Sequence, residues 1–263
     1  MHIIVCVKQV PDTANVRINP ETNTLMREGV ESIMNPFDEY ALEEALRLKD
    51  AHGARVTVIT MGPPQADVVL REAMARGADD GVLLTDRAFA GADTLATSYA
   101  IAQAIKKINA KPDLVLFGKQ AIDGDTAQVG PGVSEFLDVS LVTYVKSVQV
   151  SGDTFTVETV MDEGTDVIEG KLPAVMTVVK EASSPRFASL SGWMEAKKTA
   201  IPRWGAKDVG ATPEACGLNG SPTKVVKIFA PPTKTGGVRM DGREEPAAAV
   251  QAILKALQDK GVA

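Results

Sequence analysis

The chain of 263 residues carries 28 Lys and Arg against 34 Asp and Glu, a formal net charge of -6, with 44% hydrophobic and 24% charged residues. That is ample apolar material for a core, while the acidic balance argues against nucleic acid as a partner, because no basic excess is at hand to neutralise a phosphate backbone. Cys6 and Cys216 make neither a metal spacing nor a disulfide framework, and no apolar run approaches a bilayer span, so a soluble protein of the reducing cytoplasm with no transmembrane segment is expected.

The first eight residues lack the basic region and long apolar stretch of a signal peptide, and residues 3–7 read as a central strand. Asn35-Pro36-Phe37-Asp38-Glu39 opens a helix with an N-cap residue, a proline at the first position and acids in the first turn. Ala41, Leu42, Ala45, Leu46 and Leu48 give this helix its apolar face, and Gly53 stops it. Residues 56–60 form the next strand, 64–76 a helix followed by Gly77, and 81–84 a third strand. A helix over 93–108 follows, with Leu95, Tyr99, Ala102, Ile105 and Ile108 on one stripe, then a buried strand over 114–117 and a helix over 129–137. This βαβα rhythm predicts an α/β protein with a doubly wound, mainly parallel sheet covered on both faces and right-handed crossovers.

After about residue 140 the pattern changes. Residues 142–150 and 154–160 flank Ser151-Gly152-Asp153, a hairpin signal, and 167–172 and 174–179 add further strand-like runs. From 183 to about 246 the chain is rich in Pro, Gly, Lys and Ser with little periodicity, and a short amphipathic helix over 247–260 ends it.

In doubly wound sheets ligands sit beyond the carboxyl ends of the strands, where the strand order reverses. Four loops leave such ends here, beginning at Lys8, Met61, Thr85 and Gly118. The last runs Gly118-Lys119-Gln120-Ala121-Ile122-Asp123-Gly124-Asp125-Thr126-Ala127-Gln128-Val129-Gly130-Pro131 and leads from a strand into a helix. A turn of glycines, acids and small hydroxyls at a helix N-terminus is where phosphate oxygens are held. Gly91-Ala92-Asp93-Thr94-Leu95-Ala96-Thr97 makes a second helix start, whose Asp93 also reads as a plain N-cap. No G-x-G-x-x-G or Walker motif is present, and neither His2 nor His52 is placed as a general base, so no catalytic residue is assigned. Asp123 and Asp125 read as acceptors for ribose hydroxyls or backbone N–H groups rather than as metal ligands. A protein that cradles a nucleotide without acid–base machinery leaves the reaction to a cofactor.

Val7-Lys8-Gln9-Val10-Pro11-Asp12, Met34-Asn35-Pro36-Phe37, Gly77-Ala78-Asp79, Gly118-Lys119-Gln120-Ala121-Ile122-Asp123 and Pro185-Arg186-Phe187-Ala188-Ser189-Leu190 together resemble the beta subunit of electron transfer flavoprotein, over the whole chain. The resemblance implies an adenine nucleotide alpha hydrolase-like domain over 1–182 with added strands, a partner-recognition loop and extended arm over 183–245, and a C-terminal helix over 246–263. It also implies an alpha subunit carrying its own FAD. The turn from Asp123 to Pro131 resembles the electron-bifurcating kind, in which the beta subunit binds a second FAD and NADH, with ferredoxin or flavodoxin as low-potential acceptor. The alternative is a simple carrier holding a structural AMP. The flavin is assigned to Cys6, Val7, Lys8 and Gln9, to Asn35, Pro36, Phe37 and Asp38, to Met61, to Asp93, Thr94 and Thr97, and to Ala121 with Asp123 through Pro131. Docking of an acyl-CoA dehydrogenase-like partner is assigned to Arg186, Leu190, Trp193, Met194 and Lys197, with Leu190 as the plug. Gly132 departs from the family pattern, which has an acid after the proline, and loosens the helix start.

Overall fold

The computed structural model describes residues 1–12, 17–18, 25–26, 32–109, 111–226 and 237–262, with only the backbone of 17–18 and 25–26. Two compact units are present, Met1–Lys227 and Ile228–Ala263.

In the first unit β1 (His2–Cys6) is followed by two small antiparallel pairs, β2 (Gln9–Pro11) with β5 (Ser32–Met34) and β3 (Arg17–Ile18) with β4 (Leu25–Met26). Then come α1 (Pro36–His52), β6 (Arg55–Met61), α2 (Asp67–Arg76), β7 (Asp80–Leu84), α3 (Thr94–Ile108), β8 (Leu114–Gly118) and α4 (Val129–Leu137). An antiparallel meander of β9 (Ser140–Ser151), β10 (Thr154–Met161) and β11 (Gly164–Lys171) precedes β12 (Ala174–Val178), α5 (Leu190–Lys198) and β13 (Arg203–Trp204). The main sheet has the order β11-β10-β9-β12-β8-β1-β6-β7-β13.

β1 pairs in parallel with both β6 and β8, Ile3 standing opposite Val56 on one side and Leu114 on the other. The chain therefore winds outward from β1 to β7, then crosses back to β8 on the far side of β1. Alternation along β1 supplies both faces: Ile3 and Val5 join Leu42, Leu46 and Leu70 in one buried cluster, while Ile4 and Cys6 join Ile101, Ile105 and Val133 in the other. The α/β class and the doubly wound parallel sheet expected from the βαβα rhythm are what the structure has.

The details differ in instructive places. The expected helix over 64–76 begins as a 3-10 turn, Pro64–Ala66, before α2 proper. Of the stripe expected on α3, Ala102 and Ile105 are buried but Leu95 is 49% exposed, and Ala96, Ala100, Ile101 and Ala104 complete the buried face. Gly132, expected to loosen α4, is a packing residue. A Cβ there would lie 2.5 Å from Ser98 Oγ, so only glycine lets α4 approach α3 this closely.

The segment after 183, expected to be irregular, holds α5 and β13, and β13 joins the sheet in parallel beside β7. The first unit thus continues well past residue 182, because β13 completes its sheet edge. Residues 227–236 of the expected arm lie outside the described residues. Within the second unit, α6 (Pro246–Gln258) carries Val250, Ile253, Leu254 and Leu257 at helical spacing.

Candidate functional site

The strand order reverses between β1 and β8, and the loops leaving their carboxyl ends are fastened by buried polar residues at the start of α1. Asn35 is fully buried and occupies the N-cap position without making a side-chain cap bond. Its amide is spent elsewhere: Nδ2 donates to the Gln120 carbonyl (2.9 Å) and Oδ1 accepts from the Ile122 N–H (3.1 Å). Its own N–H donates to the Lys8 carbonyl (2.8 Å). One residue thereby ties the β1 exit to the β8 exit.

Asp38, one turn on, does the same from below. Its carboxylate accepts from the Lys8 N–H (2.7 Å) and the Gly118 N–H (3.2 Å). The fit demands glycine at 118, where a Cβ would fall 2.4 Å from Asp38 Oδ1 and 2.5 Å from the Phe37 carbonyl carbon. Burial pushes the Asp38 carboxyl up to about 7, against the opposing hydrogen bonds from Asn35, Lys8 and Gly118. A carboxyl with its folded pKa above its unfolded value contributes stability that is present below the unfolded value, 3.8, and lost as the pH rises through about 7. Asp38→Asn is expected to remove this component, flattening the fall in melting temperature between those pH values in scanning calorimetry; an unchanged slope would assign the titration elsewhere. The Cys6 thiol is pushed well up by burial and then by the Asp38 charge, so Cys6 is an inert neutral thiol lining the β1 end rather than a thiolate.

Beyond these latches the loop opens to solvent. Lys8 Nζ reaches Asp123 Oδ1 at 2.7 Å, an exposed pair of small energetic weight that sets a cation at the mouth of the crevice. Gln120 donates to Asp125. The left-handed conformation in this turn falls on Asp125 (φ 55) and Ala127 (φ 54) and not on Gly124. Such residues cost roughly 1–2 kcal/mol each outside glycine, least for Asp. A Cβ on Gly124 would meet nothing within 4 Å, and residues 123–126 are all exposed. Gln128, at the N-cap of α4, makes no side-chain cap bond, and its Oε1 accepts from Thr94 Oγ1 (3.0 Å). That contact draws the N-termini of α3 and α4 together. Gly130 is buried against Thr177 and Phe117, and Val129 and Pro131 are half-buried. Met61 packs at the β6 end against the second core cluster, and Thr97 lies half-buried in α3's first turn.

Asp93 is more occupied than its sequence context indicates. Oδ1 caps α3 by accepting from Leu95 and Ala96, and Oδ2 accepts from the Thr223 N–H (3.0 Å) and hydroxyl (2.8 Å). Its N–H donates to Ser221 Oγ. Desolvation acts to raise its pKa, yet the bonds from Ala96, Thr223 and Leu95 hold the carboxyl below the usual range. Ser221 and Thr223 were not legible as site residues, because they reach α3 from 128 and 130 residues away. They end a strap that runs back along α3, where Lys107 donates to the Asp208 carbonyl and the Tyr99 hydroxyl accepts from the Thr212 N–H.

The residues expected to dock a partner separate into two groups. Leu190 (79% exposed) and Met194 (55%) stand out from the surface, with Lys197 exposed beside them and Phe187 (98%), outside the expected set, exposed as well. Trp193 is half-buried against the first core cluster, and Arg186 is engaged with Glu43 and Asp50 of α1. Among the described residues no helix is long and apolar enough to cross a membrane, and no cluster of His, Cys, Asp and Glu could hold a metal ion.

Topology and crevice define a doubly wound α/β protein of the kind that takes ligands at its switch point. Its family follows from comparison. The family model described as the electron transfer flavoprotein domain matches residues 22–209. The chain is 52% identical over 243 residues to caffeyl-CoA reductase-Etf complex subunit CarD of Acetobacterium woodii, covering 92% of each chain. It is 53% identical over 249 residues to the electron transfer flavoprotein subunit beta of Clostridium acetobutylicum, covering 95% of each. Protein FixA of Sinorhizobium fredii is 47% identical over 266 residues, 98% of this chain and 90% of that one. The chain belongs to the electron transfer flavoprotein family, as a beta subunit.

Proposed function

We propose that this chain is the beta subunit of an electron-bifurcating electron transfer flavoprotein. It binds FAD and NADH at the β1–β8 crevice and pairs with an alpha subunit carrying its own FAD. Electrons taken from NADH are divided between an acyl-CoA dehydrogenase-like partner and a low-potential acceptor, ferredoxin or flavodoxin, in the cytoplasm. Oxidation of NADH belongs to the complex and not to this chain alone. The name of the Acetobacterium relative, a subunit of a caffeyl-CoA reductase-Etf complex, supports a partner that acts on a CoA thioester.

One observation supports the cofactor assignment: residues 123–126 are exposed, open at Gly124, and lead to the N-terminus of α4, which has no side-chain cap and is joined to the start of α3 through Gln128 and Thr94. The uncapped α4 end suits one phosphate, and since Asp93 already caps α3, the second phosphate of FAD would be met by side-chain hydroxyls and Lys8 rather than by the N–H groups of α3. Val129 and Gly130 present N–H groups at the start of α4, Thr126 and Thr94 offer hydroxyls, and Lys8 supplies the cation. Lys8 is paired with Asp123 and Thr94 with Gln128, so both would exchange those partners for phosphate oxygens on binding. Flavin would supply the redox chemistry, which no side chain here provides. Asn35 and Asp38 hold the crevice walls, and Asp123 is placed to accept from ribose hydroxyls. Extraction of the nucleotides from the purified heterodimer tests the reading. Two FAD per heterodimer are expected; one FAD with one AMP would make the protein a simple carrier.

A further inference from the structure

Arg186 lies at the base of the exposed apolar group, four residues before Leu190, and it faces inward. Its backbone N–H donates to Glu43 Oε2 (2.9 Å), its Nε to the same oxygen (2.9 Å), and its Nη2 both to Glu43 Oε1 (3.0 Å) and to Asp50 Oδ2 (2.8 Å). This is the forked pairing that a guanidinium makes with a carboxylate and an ammonium cannot. The Glu43 side chain is 8% exposed, and Arg186 is its only ion-pair partner among the described residues. A carboxylate so buried is tolerated because this guanidinium sits on it.

The other end of the segment is also fastened. Ser189 caps α5 by accepting from the Gly192 N–H, and a Cβ on Gly192 would fall 2.2 Å from the Ala75 carbonyl oxygen, so α5 rests directly on the end of α2. Arg71 of α2 donates to the Ala196 carbonyl (2.6 Å), which anchors the last turn. Phe187, Leu190 and Met194 thus project from a short stretch clamped to α1 before them and to α2 behind them. A surface held in one conformation before binding loses less conformational freedom on binding.

We infer that Arg186 is the buttress of the docking segment, a positioning residue that acts through Glu43 and Asp50 and makes no energetically important contact with the partner. The inference rests on the docking role proposed for Leu190. It is tested by a double-mutant cycle in the complete heterodimer, using Arg186→Ala, Glu43→Gln and the pair. The readouts are KM and kcat for reduction of the acyl-CoA dehydrogenase that the wild-type heterodimer reduces, together with amide hydrogen exchange of residues 186–193. Each single substitution is expected to raise KM on the order of tenfold with kcat held, and the pair no further than either one. Amides of 186–193 exchange faster in both, and Arg186→Lys, which keeps the charge but not the fork, falls between. Should Glu43→Gln fail to assemble, Asp50→Asn, at an exposed position, takes its place with the same non-additivity expected.

A rise in KM for Arg186→Ala with Glu43→Gln silent would mean that the guanidinium touches the partner, and the inference would be wrong. Parallel losses of kcat and flavin content in both singles would likewise overturn it, by showing a general structural role. Leu190→Ala run alongside separates the two ideas. If it leaves KM unmoved, the docking surface itself is misplaced; if it raises KM while Glu43→Gln does not, only the buttress falls.

Discussion

Gly124→Asp is expected to empty the beta-subunit nucleotide site while leaving the fold and the alpha-subunit flavin in place. The new side chain starts in open space, since a Cβ at 124 has nothing within 4 Å, and the backbone there is not in the left-handed region. An exposed substitution of this sort changes folding stability by no more than about 0.5 kcal/mol. Its effect on an anionic ligand is another matter. The new carboxylate adds to Asp123 and Asp125 with only Lys8 Nζ paired nearby, and like charges brought together in a binding site cost several kcal/mol. A loss of at least about 100-fold in affinity follows from roughly 3 kcal/mol. Flavin counts per heterodimer, NADH oxidation and a thermal melt of the nucleotide-stripped protein read the three quantities separately. Unchanged flavin content and NADH oxidation would place the cofactor elsewhere.

Gly118 makes the contrast useful. It stands five positions before Asp123 in the same loop, yet a Cβ at 118 would lie within 2.7 Å of three atoms of Phe37 and Asp38. Gly118→Ala would therefore force β8 away from the start of α1 and damage the fold along with the site. Two glycines six positions apart have unlike surroundings, one packed against α1 and the other open.

This distinction marks the general limit of what the sequence holds. The core helices and the parallel strands were legible because their apolar spacing is local: Leu42, Ala45 and Leu46 declare a helix face, and 114–117 declares a buried strand. The turn at 118–131 reads as a candidate site because its glycines, acids and hydroxyls are contiguous. What stayed hidden depends on partners far along the chain. Asn35 reads as an N-cap, but its amide bonds Gln120 and Ile122, 85 and 87 residues away. Arg186 reads as a surface cation of a recognition loop, but its carboxylate partner Glu43 is 143 residues distant. β13 has two residues and no signal of its own; it is a strand only because β7 offers an open edge. Gly132 reads as a weakness in α4 until Ser98 is placed against it.

The strap formed after β13 bears on how the two candidate surfaces relate. From α5 the chain passes to the sheet edge at β13, then along α3 to Ser221 and Thr223, where it grips Asp93 at the helix start. Leu190 and the residues that fasten Asp93, Ser221 and Thr223, therefore belong to one stretch of the first unit. Asp93 is best regarded as the fastening of that segment, with both carboxylate oxygens already engaged, and Thr94 as the member of the pair that faces the 118–131 turn.

On the proposed function, Leu190→Ala should cripple delivery of electrons to the acyl-CoA dehydrogenase-like partner while leaving NADH oxidation by an artificial dye intact. Leu190 is 79% exposed at the first position of α5, and Met194, one turn on, lies on the same helix face. An isolated leucine could simply pack on its own subunit, and here it does not; Trp193 and Ala196 make the inward contacts of α5 instead. Removing Leu190 therefore leaves no cavity and should cost the folded protein almost nothing. Apolar anchors ringed by polar groups concentrate binding energy, and truncating one typically costs roughly 2 kcal/mol or more, at least about 30-fold in affinity. Lys197 and Lys198, exposed at the end of α5, supply part of the polar surround and should affect association rate and salt dependence more than final affinity. Steady-state rates with the dehydrogenase and with the dye, measured on one preparation with its flavin content, give the answer. If the two activities fell together, Leu190 would be a structural residue, and the apolar group at Phe187, Leu190 and Met194 would have to serve something other than the dehydrogenase.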